Sequence, residues 1–219
     1  MMLVLEFFAL AFSALLPVIN PLGSALVFLG LVEDAPDEVL RRLSRKIAIS
    51  TALFLATIEL VGAALLAFFG ISLPVVQVAG GFVLAAMGWR LLNDEAPAAP
   101  GVQGPQPAAS VASLDGKVFF PFTFPVTAGP GTIVVMLTLS AHASRNTGSR
   151  YVLAHLGIVV AVVALCLSVM LSYRYAPKIT KKIAPQTVHG ILRVIAFVLL
   201  CIGVQIAWNG LAALFRTLH

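Results

Sequence analysis

Apolar residues run through this chain in six stretches, at roughly 3–32, 47–69, 71–92, 118–140, 152–173 and 191–213. Each approaches or exceeds the ~20 residues a helix needs to cross a bilayer. Polar and charged positions gather between them. The pattern predicts an all-α, polytopic membrane protein with six transmembrane helices. The first stretch is too long for one straight span, which predicts a broken helix. The N-terminus lacks a basic region, carries Glu6 and has no small-residue cleavage site. It therefore reads as the start of the first span and not as a signal peptide.

Two of the stretches contain the same interruption. Pro17-Val18-Ile19-Asn20-Pro21-Leu22-Gly23-Ser24 aligns without a gap on Pro125-Val126-Thr127-Ala128-Gly129-Pro130-Gly131-Thr132, 108 residues later. Proline and glycine both weaken a helix. A membrane helix tolerates such a break only where the freed backbone is buried in protein or lines a cavity. The expectation is that helices 1 and 4 are broken. Paired breaks in corresponding segments are the best sequence pointer to a transporter's binding site.

The stretch 93–116 holds Pro97, Pro100, Pro105 and Pro107 among glycine, alanine and polar residues. Such a composition buries no core and predicts a flexible cytoplasmic linker. It divides the chain into two three-helix repeats, 1–92 and 117–219. Between Pro17–Leu31 and Pro125–Leu139, six of fifteen positions are identical, at Pro17, Val18, Gly23, Val27, Leu29 and Leu31. At an offset of 115, Phe82-Val83-Leu84 falls on Phe197-Val198-Leu199 and Gly88 on Gly203. An internal duplication accounts for both matches. Three spans per unit make the second copy inverted relative to the first.

Composition agrees with a membrane location. The chain is 60% hydrophobic and 11% charged, with a mean hydropathy of +1.02, beyond what a soluble domain of 219 residues requires. The net charge of +5 sits beside apolar spans, so it reports orientation and does not point to nucleic acid. Ten basic residues fall on one side: Arg41, Arg42, Arg45, Lys46, Arg90, Lys117, Arg174, Lys178, Lys181 and Lys182. The other side has Arg145, Arg150 and Arg216. The positive-inside rule then puts both termini on the periplasmic side of a bacterial inner membrane. Arg41 to Lys46 read as an orientation signal and a lipid-headgroup contact, and Arg193 as a snorkelling side chain.

The candidate chemistry lies at the breaks. Half-helices starting there aim unpaired N–H groups and a partial positive charge at the membrane midplane, which suits a carboxylate. The candidate binding segments are Asn20, Pro21, Gly23 and Ser24, with Thr127, Ala128, Gly129, Pro130, Gly131 and Thr132. Freed carbonyls suit an ammonium group or a small cation. The plain alternative is that both breaks serve only kinks and close packing. Glu59 lies within span two, where a charge costs about 2.5–3.5 kcal/mol. It reads either as a proton-coupling or ammonium-binding carboxylate or as a neutral acid in helix packing. Gln205 and Asn209 share a helix face and either line the cavity or bond between helices. Cys166 and Cys201 read as apolar fillers. His142, His155, His189 and His219 are scattered near span ends. No metal-ligand spacing, phosphate loop or nucleophile–base–acid set occurs, so neither a cofactor nor an enzymatic activity is expected.

Asn20-Pro21-Leu22-Gly23 resembles the "NPxG" break of MarC-type integral membrane proteins, and Ala128-Gly129-Pro130-Gly131 resembles their "AGPG" break. Phe69-Gly70-Ile71-Ser72-Leu73-Pro74 followed by Ala79-Gly80-Gly81 is similar to their "FGIS…AGG" stretch, with Glu59 in place of a glutamate often found upstream. Gly203-Val204-Gln205-Ile206 and Asn209-Gly210 resemble the family's last span. The likeness covers nearly the whole chain except 93–116. Ala196 departs from a glycine frequent in the family. The resemblance implies a six-span inner-membrane protein grouped with neutral amino-acid transporters of the SnatA type.

The expected function is secondary transport of small neutral amino acids by alternating access, coupled to H+ or Na+. The alternatives are export of another small solute and a non-transport role as scaffold or lipid-interacting protein. A metal exporter would need acidic or histidine ligands in the membrane, and a thiol-electron carrier would need cysteines at the breaks. Small-residue faces such as Gly80-Gly81 fit packing within the fold or between protomers of a homo-oligomer.

Overall fold

A computed structural model describes residues 1–32, 35–93, 114–182 and 185–216. Among these residues the chain is helical, with no strand. The helices are α1 (Met2–Ile19), α2 (Pro21–Val32), α3 (Asp37–Phe68), α4 (Leu73–Asn93), α5 (Pro130–Ala143), α6 (Ser149–Lys182) and α7 (Pro185–Arg216). A short turn at Asp115–Lys117 and a wide-turn segment at Val118–Thr127 precede α5. Residues 94–113 of the expected linker lie outside the described residues. Its C-terminal edge is anchored: Leu114 is buried and Asp115 pairs with Arg42 and Lys46.

Five spans are long and apolar enough to cross a bilayer by themselves, and α1 with α2 forms the first of them over Met2–Val32. The remaining crossing is bent by 72° between Asp115–Thr127 and Pro130–Ala143. At its start Asp115 meets the first turns of α3. At its end His142 lies 5.6 Å from the Phe7 ring near the start of α1. The bent pair therefore runs from one end of the bundle to the other and supplies the sixth crossing. Its fourth-span helix is not a straight rod with a local kink. Pro121 and Pro125 withhold N–H groups and restrict the residues before them. Phe120 and Phe124 accordingly take extended backbone, near φ −118, ψ 123 and φ −121, ψ 127.

α3 has 32 residues, about 48 Å of helix, against a hydrocarbon core of ~30 Å. Its basic first turns project beyond that core. Asp37 and Glu38 in the first turn suit the positive end of the helix dipole. Its buried stripe, Leu40, Leu43, Ile47, Thr51, Leu55, Glu59 and Gly62, has helical period and faces the bundle. Outside the bundle, Leu60, Phe68, Val194 and Trp208 are exposed, as lipid-facing positions are.

α4 and α7 pack antiparallel through small residues. A Cβ at Gly88 would stand 2.6 Å from Leu200 N and 2.8 Å from Ala196 O, and one at Gly81 would stand 2.6 Å from Gly203 O. Only glycine lets the two backbones approach so closely. Ala196 is buried in this seam with its carbonyl toward Gly88. The 115-residue offset exchanges the Gly81–Gly203 contact with the Gly88–Ala196 contact.

Candidate functional site

Asn20 makes the first break by itself. It sits in the left-handed region at φ 44, ψ 69 and ends α1 with its N–H on Leu16 O. Asparagine is among the few residues that enter this region routinely. Its side-chain Oδ1 then accepts the Gly23 N–H at 3.0 Å, an N-cap on α2, with Pro21 at the first helical position. A Cβ at Gly23 would lie 2.8 Å from the Asn20 Cγ. The Asn-Pro-x-Gly run is thus one device: stop, cap, restart, and room for the cap. Ser24 donates back to Asn20 O at 2.9 Å.

The second break is built differently. Ala128, aligned with Asn20, lies at φ −125, ψ 83, and Gly129 is extended at φ −80, ψ −177. Pro130 starts α5, and no side chain caps it. The matched sequences therefore give unequal breaks. The first is capped by the Asn20 side chain, while at the second the backbone Gly129 O takes the Thr132 N–H at 3.0 Å.

The two breaks meet around one cavity. About 70 Å3 of it is open to the centres of water molecules, where ~10–15 Å3 holds one water. Asn20, Gly23 and Ser24 line it from the first break, and Gly129, Gly131 and Thr132 from the second. Thr132 is fully buried and its hydroxyl has no partner. The rest of the wall is apolar and includes Val27, Met87, Leu91, Leu192 and Leu199. Among the described residues no charged side chain lines it. Leu91 near the end of α4 and Leu192 near the start of α7 carry its wall toward the basic end of the bundle.

Four expected residues do not reach the cavity wall. Pro21 and Ala128 are buried in the break backbone, and Pro130 is exposed. Thr127 is a structural residue. Its hydroxyl lies 2.6 Å from Phe122 O and 2.7 Å from the Tyr173 hydroxyl. Tyr173, on α6, has the Ser24 side chain beside its hydroxyl as well, so one phenol ties both breaks together. It is fully buried and stacks on Phe28 at 4.6 Å. Tyr173→Phe is expected to cost about 1–2 kcal/mol. Thermal unfolding of Tyr173→Phe, Thr127→Val and the double variant should show coupling; simple additivity would remove the tie.

Gln205 and Asn209 lie on the outer face of α7 and bond each other, Gln205 Nε2 to Asn209 Oδ1 at 2.9 Å. Gly203 and Gly210 take the face toward α4. Two residues on from Gly203 is about 200° around the helix, which turns Gln205 away from the cavity.

Glu59 is buried on α3 and pairs with His155 on α6, Nδ1 to Oε1 at 2.5 Å. Its Oε2 is buried without a partner. Ser140 donates to the Glu59 carbonyl at 3.1 Å. The His155 Nε2 stands 3.4 Å from the exposed Ser144 hydroxyl, and the Tyr151 ring covers the imidazole at 4.2 Å. An imidazole and a carboxylate in this arrangement can pass a proton between an exposed hydroxyl and a buried acid. Glu59 lies away from the cavity, toward the opposite end of the bundle. α5 links the two, since Thr132 and Ser140 are eight residues apart, about 12 Å of helix. Among the described residues no cluster of three or more His, Cys, Asp or Glu has metal-binding geometry. Cys166 and Cys201 are both free thiols.

A family model described as MarC family integral membrane protein matches residues 5–215. The chain is 27% identical over 218 residues to the UPF0056 inner membrane protein MarC of Escherichia coli strain K12, covering 96% of each chain. The same identity and coverage hold for the proteins of that name from strains UTI89 and CFT073. No solved structure matches significantly. Inner-membrane relatives and the run of long apolar helices together make this a multi-pass inner-membrane protein. Residues 5–215 leave little of the chain unmatched, and the protein belongs to the MarC family of integral membrane proteins.

Proposed function

We propose that this protein is a secondary transporter of small neutral amino acids that works by alternating access, and that it is not an enzyme. The observation that carries the reading is the shared cavity. Two breaks 108 residues apart converge on it, and the buried Thr132 hydroxyl faces it without a partner. The Gly131 N–H in the first turn of α5 and the Thr132 hydroxyl offer donors to a carboxylate. The Asn20 region offers acceptors to an ammonium group. Such a pairing suits a zwitterion, and a wall without charge among the described residues disfavours a solute with net charge. The apolar remainder suits a small aliphatic side chain. An inverted duplication accounts for the exchanged contacts between α4 and α7. Arg41, Arg42, Arg45, Lys46 and Arg174 share one end, which the positive-inside rule assigns to the cytoplasm. Both termini are then periplasmic, and the cavity wall extends toward the cytoplasmic side. The Glu59–His155 pair at the other side favours H+ over Na+ as the coupling ion.

The test is flux of labelled glycine and alanine into liposomes, with proton and sodium gradients imposed separately. Proton-driven flux is expected. Gly131→Val should abolish it, because a side chain there collides with Leu84, and Gly23→Val should do so by displacing the Asn20 cap. Absence of flux from folded protein would leave the non-transport reading in its place.

A further inference from the structure

We propose that the groove between the basic ends of α3 and α6 is a binding site for one anionic phospholipid of the bilayer. The inference stands apart from the transport reading. The groove encloses about 850 Å3. Arg41, Arg42, Arg45 and Lys46 line it from α3, and Arg174 lines it from α6. A single carboxylate, Asp115, engages Arg42 at 3.0 Å and Lys46 at 3.1 Å. Among the described residues no carboxylate pairs with Arg41, Arg45 or Arg174. The groove therefore holds an excess of positive charge, three of it on guanidinium groups that can grip phosphate oxygens bidentately.

Below the charges the walls change character. Ile49 and Ala52 continue the groove along α3, and Met170, Leu167 and Val163 continue it along α6. From Arg45 to Ala52 is about 10 Å of helix, and from Arg174 to Val163 about 16 Å. That is most of the ~15 Å that one leaflet contributes to a core ~30 Å thick. Ile49, Val163 and Leu167 are about half exposed, at 51%, 48% and 50%, so the lower groove opens sideways onto the bilayer. A free phosphate would satisfy the rim and leave this apolar slot unfilled. A zwitterionic lipid would fill the slot without neutralising the rim. An anionic phospholipid does both, with its phosphate at Arg41, Arg45 and Arg174 and a chain along the α3–α6 walls.

The full-length protein in nanodiscs of phosphatidylcholine, titrated with phosphatidylglycerol, tests this. Thermal stability should rise saturably with phosphatidylglycerol and should not respond to inorganic phosphate at matched ionic strength. The combined Arg41→Gln, Arg45→Gln and Arg174→Gln variant should need about tenfold to 100-fold more phosphatidylglycerol for half effect. A variant with the same charge removed elsewhere, Arg145→Gln, Arg150→Gln and Arg216→Gln, should titrate like the parent. An equal response from both variants, or reproduction of the effect by phosphate, overturns the proposal. Should the groove variant fail to fold, native mass spectrometry of the unaltered protein from equimolar mixed lipids decides. One retained phosphatidylglycerol supports the site, and no preference over phosphatidylcholine removes it.

Discussion

Gly88→Val is expected to destabilise the protein by on the order of 3 kcal/mol or more. The neighbours of the new side chain are backbone: Leu200 N at 2.6 Å, Ala196 O at 2.8 Å and Leu200 Cα at 2.9 Å from the first added carbon. A flexible side chain could swing aside, but a helix backbone cannot. α4 and α7 must separate, and in a bilayer such close van der Waals contact is the main force joining helices. Even Gly88→Ala should fall well below the parent in thermal unfolding. Gly30→Ala is the control, because nothing lies within 4 Å of that added carbon. There, loss of glycine's backbone freedom should be neutral or stabilising by about 0.5–1 kcal/mol. Equal melting temperatures for Gly30→Ala and Gly88→Ala would show that the seam is looser than described.

Glu59→Gln is expected to abolish proton-driven flux while leaving substrate counterflow, because the cavity wall does not include Glu59. The amide keeps the shape and a hydrogen bond to His155 but carries no exchangeable charge. His155→Gln should give the same separation of driven flux from counterflow, since His155 joins Glu59 to the exposed Ser144 hydroxyl. Glu59→Ala is a harsher change. It leaves His155 without its buried partner and should cost about 3–5 kcal/mol if the pair is ionic. Proton-driven flux that survives in both glutamine variants removes the pair from coupling. Loss of counterflow together with driven flux would instead give the pair a structural role.

The spans and both breaks were legible because their signals are local. Twenty apolar residues, Asn-Pro-x-Gly and Ala-Gly-Pro-Gly each act through neighbouring backbone. Their alignment 108 residues apart pointed to a shared site, and both line one cavity. The difference between the breaks was hidden in a side chain. Asn20 can take the left-handed conformation and cap a helix, whereas Ala128 in the aligned position can do neither. Tyr173 and His155 were not legible. Their partners lie 46 and 96 residues away, and both sit where aromatic and polar residues commonly mark an interface. The facing of Gln205 and Asn209 was readable in principle. Gly203 and Gly210 mark the packing face of that helix, and the polar pair lies on the opposite one.

The seam between α4 and α7 has a mechanical meaning. Interdigitating side chains can slide by hopping rotamers, but a seam in which an added Cβ would stand only 2.6–2.8 Å from the facing backbone has no such slack. The two helices form a keel, rigid across both halves of the chain. An exchange between inward and outward openings cannot shear along it. The joints are already cut elsewhere: at Asn20, and at the 72° elbow before α5, where helix continuity is lost. Spin labels across the keel should hold one distance in every substrate condition, while labels across either joint should not.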